Sequence, residues 1–245
     1  MLVKLNHKVH VLFRRQDLDM VKLEGKVVVV LDVLFATSTM IAALAGGAAA
    51  VIPTLDEAHA RKAANGLQPA DYVLAGELFA ETIAGFAPPT PKALLQHDLK
   101  GRTLIYATTN GTVALSESSP AAHVFAGALL NAEAVVRHIA RQHPDGTIVV
   151  VCSGSMGNPN LEDTYGAGYF VDLIQQEMRV RDFSDASHAA LAVYRNEGAE
   201  TALLRSRVGQ MMQTRALVPE VKFAAQKSVL DVVPKLVDGE LRALR

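Results

Sequence analysis

One long apolar stretch constrains the fold of this 245-residue chain more than any other feature. Between residues 27 and 52 the sole charged residue is Asp32. A helix of that length could cross a membrane, but residues 27–33 are mostly β-branched, which favours a parallel strand that is buried on both faces. A Gly-Gly pair at 46–47 ends a helix, and residues 48–52 return as a second strand. The stretch therefore predicts a buried β-α-β unit rather than a membrane span.

The same alternation of buried strand, polar loop and helix continues along the chain. Further strands are predicted at residues 71–75, 102–108, 122–125 and 147–152, with helices between them. Beyond residue 181 the pattern is mostly helical to about residue 217. A strand-like stretch at 221–225 and a weak C-terminal segment from residue 231 follow. We therefore expect a single α/β domain over residues 1–245, built as a three-layer sandwich with a mostly parallel or mixed sheet and helices on both faces.

Composition excludes several classes of function. The chain has 24 Lys+Arg against 25 Asp+Glu, so its net charge of -1 provides no basic surface for a nucleic acid. A single cysteine, Cys152, cannot form an internal disulfide and argues against a thiolate zinc site. Residues 1–17 contain no continuous apolar segment of the kind found in a secretory signal. We expect a cytoplasmic protein with no membrane partner, and a homodimer is the expected assembly for this size.

Polar residues follow several of the predicted strands at the point where each strand ends. Asp32 lies at the end of the strand predicted at 27–33, Glu77 follows that at 71–75, and two loops at 108–112 and 153–163 follow later strands. Each feature also has a local explanation, as a helix cap, a tight turn or a favourable charge in a first helical turn. Ligands of parallel α/β sheets bind outside the carboxyl ends of the strands. Together these residues predict a site for a hard cation and an anionic substrate.

The common sequence motifs of catalysis are mostly missing. The chain has neither a P-loop nor a Gly-x-Gly-x-x-Gly motif after a strand, so the usual markers of nucleotide binding are absent. Residues 153–157 (SGSMG) nearly match the nucleophile elbow of serine hydrolases, with Ser155 as the nucleophile. A triad would also need a downstream histidine, and His188 is the sole candidate. A serine hydrolase that uses Ser155 is therefore an alternative hypothesis.

A series of short motifs gives a more specific indication. In chain order they are VVVLDVLFATST (28–39), GE (76–77), ATTNGT (107–112), NAEA (131–134), VCSG (151–154) and LEDT (161–164). In order and approximate spacing this set resembles the 2-phosphosulfolactate phosphatase family. The resemblance is specific from about residue 27 to 168 and continues more faintly through SRVG (206–209) and VVP (232–234). It implies an α/β, magnesium-dependent phosphatase that converts 2-phosphosulfolactate to sulfolactate, a step toward coenzyme M.

The resemblance also assigns roles to the acidic residues. Magnesium prefers oxygen ligands, usually one or two carboxylates with water and substrate phosphate. Asp32, Glu77 and Asp163 are the candidate Mg²⁺ ligands, and Glu162 is the next candidate. Asp32, Glu162 and Asp163 are the candidate catalytic residues. Asp32 is expected to be essential, whether a magnesium-activated water attacks the phosphorus or Asp32 itself attacks it.

Hydroxyl, amide and glycine positions form the predicted substrate site. Donors of this kind can neutralise charge on the phosphate oxygens. The hydroxyls of Thr37, Ser38 and Thr39 are also expected to cap the helix after Asp32. The predicted substrate-binding residues are Thr37, Ser38, Thr39, Thr109, Asn110, Gly111, Thr112, Ser153 and Gly154.

The chain departs from the family pattern at two places beside this site. Phe35 occupies the position where the family usually has an arginine, which could hold phosphate or sulfonate. The segment at 85–91 reads GFAPPTP where the family has GFDLGNSP, so an acidic residue, an amide and a glycine are lost. A second hypothesis follows from these departures: a repurposed or non-catalytic family member that binds a small anionic metabolite without hydrolysing it.

Overall fold

The computed structural model describes residues 9–19, 22–178 and 182–244. Within these ranges the strands are β1 (Val9–Leu12), β2 (Val27–Leu31), β3 (Ala50–Thr54), β4 (Tyr72–Leu78), β5 (Glu81–Thr82), β6 (Thr103–Ala107), β7 (His123–Gly127), β8 (Ile148–Cys152), β9 (Pro234–Val237) and β10 (Glu240–Ala243). The helices are α1 (Ala36–Ala45), α2 (Glu57–Ala64), α3 (Pro91–Leu94), α4 (Gly111–Glu117), α5 (Ala132–Gln142), α6 (Leu161–Glu177), α7 (Asp185–Asn196), α8 (Ala199–Arg205), α9 (Arg207–Thr214) and α10 (Val218–Ala224).

The predicted β-α-β unit is present as β2, α1 and β3, and β2 shows why its sequence is apolar throughout. Val27, Val29 and Leu31 belong to one hydrophobic cluster, together with side chains of α5 and α6. Val28 and Val30 belong to a second cluster, which also contains side chains of α1 and α4. Because successive side chains of a strand point to opposite faces, a strand covered on both faces must be apolar at every position. The expected layers, with helices on both faces of the sheet, are confirmed.

The sheet is mostly parallel but mixed, as expected. Its strand order is β1-β8-β2-β7-β9-β10-β3-β6-β4-β5. Strands β1, β8, β2 and β7 form one parallel group, and β3, β6 and β4 form another. The antiparallel hairpin β9–β10 connects the groups through the pairs Phe125–Lys235 and Leu241–Val51. Both groups contribute to the second hydrophobic cluster, so they share one core.

The C-terminal region corrects two expectations. The helical prediction beyond residue 181 is confirmed by α7 to α10, but the strand expected at 221–225 is wrong, because α10 covers this stretch. Pro219 lies in its first turn, and Val221 and Ala224 are buried three residues apart, the spacing of one helix face. The weak segment from residue 231 forms β9 and β10. The left-handed pair Asp238-Gly239 makes the turn between them, a hairpin signal that the strand pattern alone did not reveal.

The N-terminal region adds a strand that the sequence analysis did not assign. β1 pairs in parallel with β8 from Val9–Ile148 to Leu12–Val151. Its four residues are all buried, so β1 extends the sheet beyond the β-α-β unit. Across the described ranges, the helices are too short or too polar to span a bilayer.

Candidate functional site

Asp32 lies directly after β2, and the loop that carries it is fixed by α1. The N–H of Asp32 donates to Oγ1 of Thr37 at 2.9 Å, and the Thr37 hydroxyl donates to the carbonyl of Asp32 at 2.9 Å. The Ser38 hydroxyl donates to the carbonyl of Val33 at 2.8 Å. These bonds hold the backbone around Asp32 from both sides, while its side chain remains 9% exposed.

The prediction that the hydroxyls at 37–39 cap α1 is wrong. The helix begins at Ala36 with Phe35 as its N-cap residue, and Phe35 makes no side-chain capping bond. The hydroxyls instead lie within the first turn, where those of Thr37 and Ser38 reach back to the preceding loop. The Thr39 hydroxyl donates to the carbonyl of Pro89 at 2.8 Å. All three hydroxyls therefore donate to backbone carbonyls: Thr37 and Ser38 hold the loop around Asp32, and Thr39 holds the loop at Pro89.

The turn at 109–112 meets Asp32 because Gly111 has no side chain. An ideal Cβ on Gly111 would lie 2.7 Å from Oδ2 of Asp32, closer than a real Cβ can approach. The carboxyl ends of β2 and β6 therefore converge, as the sequence predicted, although these strands belong to different parallel groups. The Thr112 hydroxyl donates to the carbonyl of Thr108 at 2.9 Å, and the half-buried Asn110 side chain lies 3.4 Å from Oγ1 of Thr109.

Glu77, at the end of β4, binds the same turn through its carboxylate. The N–H and the hydroxyl of Thr109 both donate to Oε1 of Glu77 at 3.0 Å. The N–H of Ala80 donates to Oε2 at 2.6 Å. Glu77 is close enough for its charge to raise the pKa of Asp32. Both of its oxygens already accept protein hydrogen bonds, so Glu77 organises the turn beside Asp32.

Asp163, in the first turn of α6, connects the loops that follow β2 and β8. The N–H of Val33 donates to Oδ1 of Asp163 at 2.9 Å, and the N–H of Gly154 donates to Oδ2 at 3.1 Å. Burial raises the pKa of Asp163 to about 8, the charge of Glu162 adds to this rise, and the backbone N–H groups oppose it. Asp163 thus holds together the two loops that border Asp32.

Glu162 is a buried carboxyl group that no described residue bonds at normal hydrogen-bond geometry. Its side chain is 1% exposed, and within the described ranges neither oxygen has a hydrogen-bond partner. Ser206 lies close enough to lower its pKa, but the Ser206 hydroxyl donates to the carbonyl of Leu203 at 2.8 Å. Ser153 Oγ is likewise buried without a partner. Such groups are costly in a folded protein unless they are satisfied, so these atoms are available to a cation, a water or a ligand.

The carboxyl groups of the site repel one another. Burial raises the pKa of Asp32 well above its usual range, the charge of Asp163 raises it further, and N–H groups of Ala36 and Gly111 act in the opposite direction. Burial also raises the pKa of Glu162 to about 7, and Asp32 contributes to that rise. Several buried carboxyls that resist ionisation together create a site that favours a cation or a proton.

The donor set is suited to magnesium in kind, but the predicted ligands do not form one group. Within residues 9–19, 22–178 and 182–244, no three His, Cys, Asp or Glu side chains lie close enough to hold a metal ion together. Asp163 and Glu77 bind backbone N–H groups, whereas Glu162 has both oxygens free. Magnesium needs one or two carboxylates when water and phosphate complete its shell. Glu162 is therefore the carboxylate whose oxygens are left free for a cation, and Asp32 is close enough for its charge to raise the pKa of Glu162.

Ser155 is bound by an arginine rather than by a histidine. The Arg207 guanidinium donates to Oγ of Ser155, and the Ser155 hydroxyl donates to Oδ1 of Asn160 at 3.2 Å. The ring of His188 instead lies 6.1 Å from that of Phe183. In the described part of the chain, Ser155 thus has no histidine base. Sequence analysis included Arg207 in the fainter resemblance at 206–209 but did not select it as a site residue, because nothing in a helical region 175 positions after Asp32 indicated that it lies near the site.

The two departures from the family pattern have different structural consequences. Phe35 is 7% exposed and belongs to the hydrophobic cluster under α5 and α6. In the altered loop, the carbonyl of Pro89 accepts hydrogen bonds from Thr39 and from Tyr106, the latter at 2.5 Å. Residues 85–88 also line a surface groove of about 600 Å³ beside β4. The loop therefore remains attached near the site, but the groove lies beside the strand rather than at Asp32.

Comparison with known proteins supports the family assignment. A family model described as 2-phosphosulpholactate phosphatase matches residues 13–239. Three relatives carry the name "Probable 2-phosphosulfolactate phosphatase". The protein from Carboxydothermus hydrogenoformans is 34% identical over 96% of both chains. The Symbiobacterium thermophilum protein is 33% identical over 90% of this chain and 95% of its own, and the Clostridium beijerinckii protein is 29% identical over 96% and 98%. The chain belongs to the 2-phosphosulpholactate phosphatase family.

Proposed function

We propose that this protein is a magnesium-dependent phosphatase that hydrolyses 2-phosphosulfolactate or a related small phosphorylated hydroxy acid. The observation that carries the proposal is the group of buried carboxyls, Asp32, Glu162 and Asp163, where the carboxyl ends of the strands meet. The names of the relatives supply the substrate class. A substrate with several anionic groups can approach such an acidic site if a cation is bound there.

The reaction is the hydrolysis of a phosphate monoester. A water oxygen attacks the phosphorus, the bond between phosphorus and the alkoxide oxygen breaks, and the proton lost by water passes to the leaving alkoxide. We assign to Asp32 the role of orienting the attacking water, accepting its proton and passing that proton to the leaving alkoxide. Gly111 permits the turn that carries Asn110 to approach Asp32, so the Asn110 amide can donate to a phosphate oxygen. Glu77 and Asp163 hold the surrounding loops in place.

Magnesium fits the site through Asp32, with Glu162 as the second carboxylate. When bound, Mg²⁺ would neutralise charge on the phosphate and on the carboxylates. The free oxygens of Glu162 support this assignment, because a buried carboxylate without donors is satisfied by a cation. The bonds that Asp163 and Glu77 accept from backbone N–H groups favour a positioning role for these two residues.

The test is phosphate release by the purified protein from 2-phosphosulfolactate and a panel of phosphorylated hydroxy acids. Each reaction is run with added magnesium, with EDTA, and with magnesium restored after EDTA. The proposal predicts that the protein releases phosphate from at least one compound of the panel, that EDTA abolishes this release, and that added magnesium restores it. Release that is insensitive to EDTA would contradict the magnesium requirement.

The same preparation distinguishes the alternatives. A folded protein that is thermally stabilised by the panel compounds without releasing phosphate would be a binding member of the family. Labelling of Ser155 by a fluorophosphonate, with loss of labelling in Ser155→Ala, would indicate a serine hydrolase. We expect neither result, because Ser155 bonds to Arg207 and Asn160.

A further inference from the structure

We propose that Arg207 binds the second acidic group of the substrate, the carboxylate or sulfonate that remains after phosphate is released. This inference rests on the proposed function, since it assigns the part of the substrate that does not react. It identifies a residue that determines specificity, and it separates the recognition of the acid from the chemistry at Asp32.

Arg207 is held in a fixed place at the edge of the acidic site. It is the first residue of α9, and the N-cap Ser206 accepts a hydrogen bond from the N–H of Gly209 at 2.9 Å. Gly209 packs so closely that an ideal Cβ there would lie 1.8 Å from the carbonyl oxygen of Leu203. The corner between α8 and α9 therefore permits little movement, and it sets where the Arg207 side chain begins.

The Arg207 guanidinium is directed toward the loop after β8. It donates to Oγ of Ser155 and lies 3.8 Å from the sulfur of Met156. Its charge also lowers the pKa of Glu162, which places it within electrostatic range of the buried carboxyl. Glu162 in turn interacts with Asp32. Ser155 directly follows Gly154, whose N–H donates to Asp163, so the Arg207 guanidinium contacts the loop that borders Asp32.

The charge of Arg207 is not neutralised by an ion pair, unlike that of the neighbouring arginines. Arg205 pairs with Glu197, and Arg215 pairs with Glu81 at 3.0 Å. Within the described ranges, Arg207 forms no ion pair with a carboxylate, and its side chain is exposed. An exposed guanidinium with donors to spare is well suited to a carboxylate or a sulfonate, which it can bind through two parallel hydrogen bonds.

A substrate with two or three anionic groups needs such a cation. Phe35 cannot provide it, because its side chain is apolar and lies in the core. The buried carboxyls would repel any anionic group that is not compensated. Arg207 compensates charge at the outer end of this site, whereas the phosphate is proposed to lie at Asp32. The geometry therefore points to a small acid whose carboxylate or sulfonate extends from the reacting phosphate toward α9.

The experiment compares substrates that have and lack the second acidic group. Wild type, Arg207→Ala, Arg207→Lys and the control Arg205→Ala are assayed with 2-phosphosulfolactate and with phenyl phosphate. For 2-phosphosulfolactate, Arg207→Ala should raise KM by about 10- to 150-fold, the range expected for a lost charged hydrogen bond, and kcat should change little. Arg207→Lys should restore part of this loss. The kinetics with phenyl phosphate, and those of Arg205→Ala with either substrate, should remain at wild-type values.

Equal losses with both substrates would overturn the proposal, because Arg207 would then act on the phosphate or on the fold. An unchanged KM for 2-phosphosulfolactate would overturn it as well. If wild type hydrolyses neither substrate, the proposed function fails, and calorimetric titration with sulfolactate tests Arg207 independently. Binding by wild type that weakens at least about tenfold in Arg207→Ala would support the assignment. No binding, or equal binding by both proteins, would contradict it.

Discussion

Replacement of Glu162 by glutamine tests whether its carboxyl is buried without a partner that stabilises its negative charge. In the metal-free protein this side chain is 1% exposed, and its pKa is raised from 4.5 to about 7, mainly by burial. The folded state therefore holds a proton that the unfolded chain releases near pH 4.5. The stability that this proton contributes is complete below about pH 4.5 and is lost as the pH rises through about 7.

The magnitude follows from the difference between the two pKa values. At about 1.4 kcal/mol per pH unit, the change from 4.5 to about 7 corresponds to a loss on the order of 3 kcal/mol between pH 4.5 and 8. Glutamine at position 162 has no charge to bury, so this part of the pH dependence should disappear in Glu162→Gln. Asp32 and Asp163, whose pKa values are also raised by burial, should retain the remainder.

The assay is urea unfolding in EDTA at several values between pH 5 and 8. The free energy of unfolding of Glu162→Gln should fall less steeply with pH than that of wild type. The exposed substitution Glu24→Gln serves as the matched control and should leave the wild-type slope unchanged. Parallel pH profiles for wild type and Glu162→Gln would refute the reasoning, because they would show that the carboxyl finds a compensating partner in the folded protein.

Two further substitutions test how the site is built. Gly111→Ala would place a Cβ 2.7 Å from Oδ2 of Asp32. Overpacking of this kind costs about 1–3 kcal/mol, and the rate of phosphate release should fall strongly. The control Gly198→Ala, where no atom lies within 4 Å of an added Cβ, should retain the wild-type rate. Glu77→Gln weakens an acceptor shared by the N–H and the hydroxyl of Thr109. The free energy of unfolding, measured by urea denaturation, should fall by about 1–2 kcal/mol, and kcat for phosphate release should also fall. Unchanged stability would contradict the positioning role of Glu77.

The sequence was most informative where one pattern had one physical solution. An apolar run with no alternation, as at 27–31, fits a strand buried on both faces, and a carboxylate directly after it falls at the carboxyl edge of the sheet. The fold class and the position of Asp32 followed from these observations. The convergence of Asp32 with the turn at 109–112 also followed, because the carboxyl ends of the strands face a common site.

The sequence was less informative where side chains compete for the same backbone. Hydroxyls before a helix can cap it or bond to the preceding loop, and Thr37 and Ser38 do the latter. Residues 221–225 have apolar residues at both strand and helix spacings, and Pro219 decides in favour of a helix. Arg207 lies in the fainter resemblance at 206–209, but its proximity to Glu162 could not be predicted, since it depends on how α9 packs against the rest of the fold.

The central claim is that Asp32 is the essential carboxylate of a phosphatase site, and steady-state phosphate release tests it most directly. Wild type, Asp32→Asn and the exposed control Asp71→Asn are compared with the best substrate of the panel at saturating magnesium. The account predicts that Asp32→Asn lowers kcat by about a hundredfold or more, while the protein remains folded and Asp71→Asn retains the wild-type rate. A folded Asp32→Asn protein that releases phosphate at the wild-type rate would contradict the account.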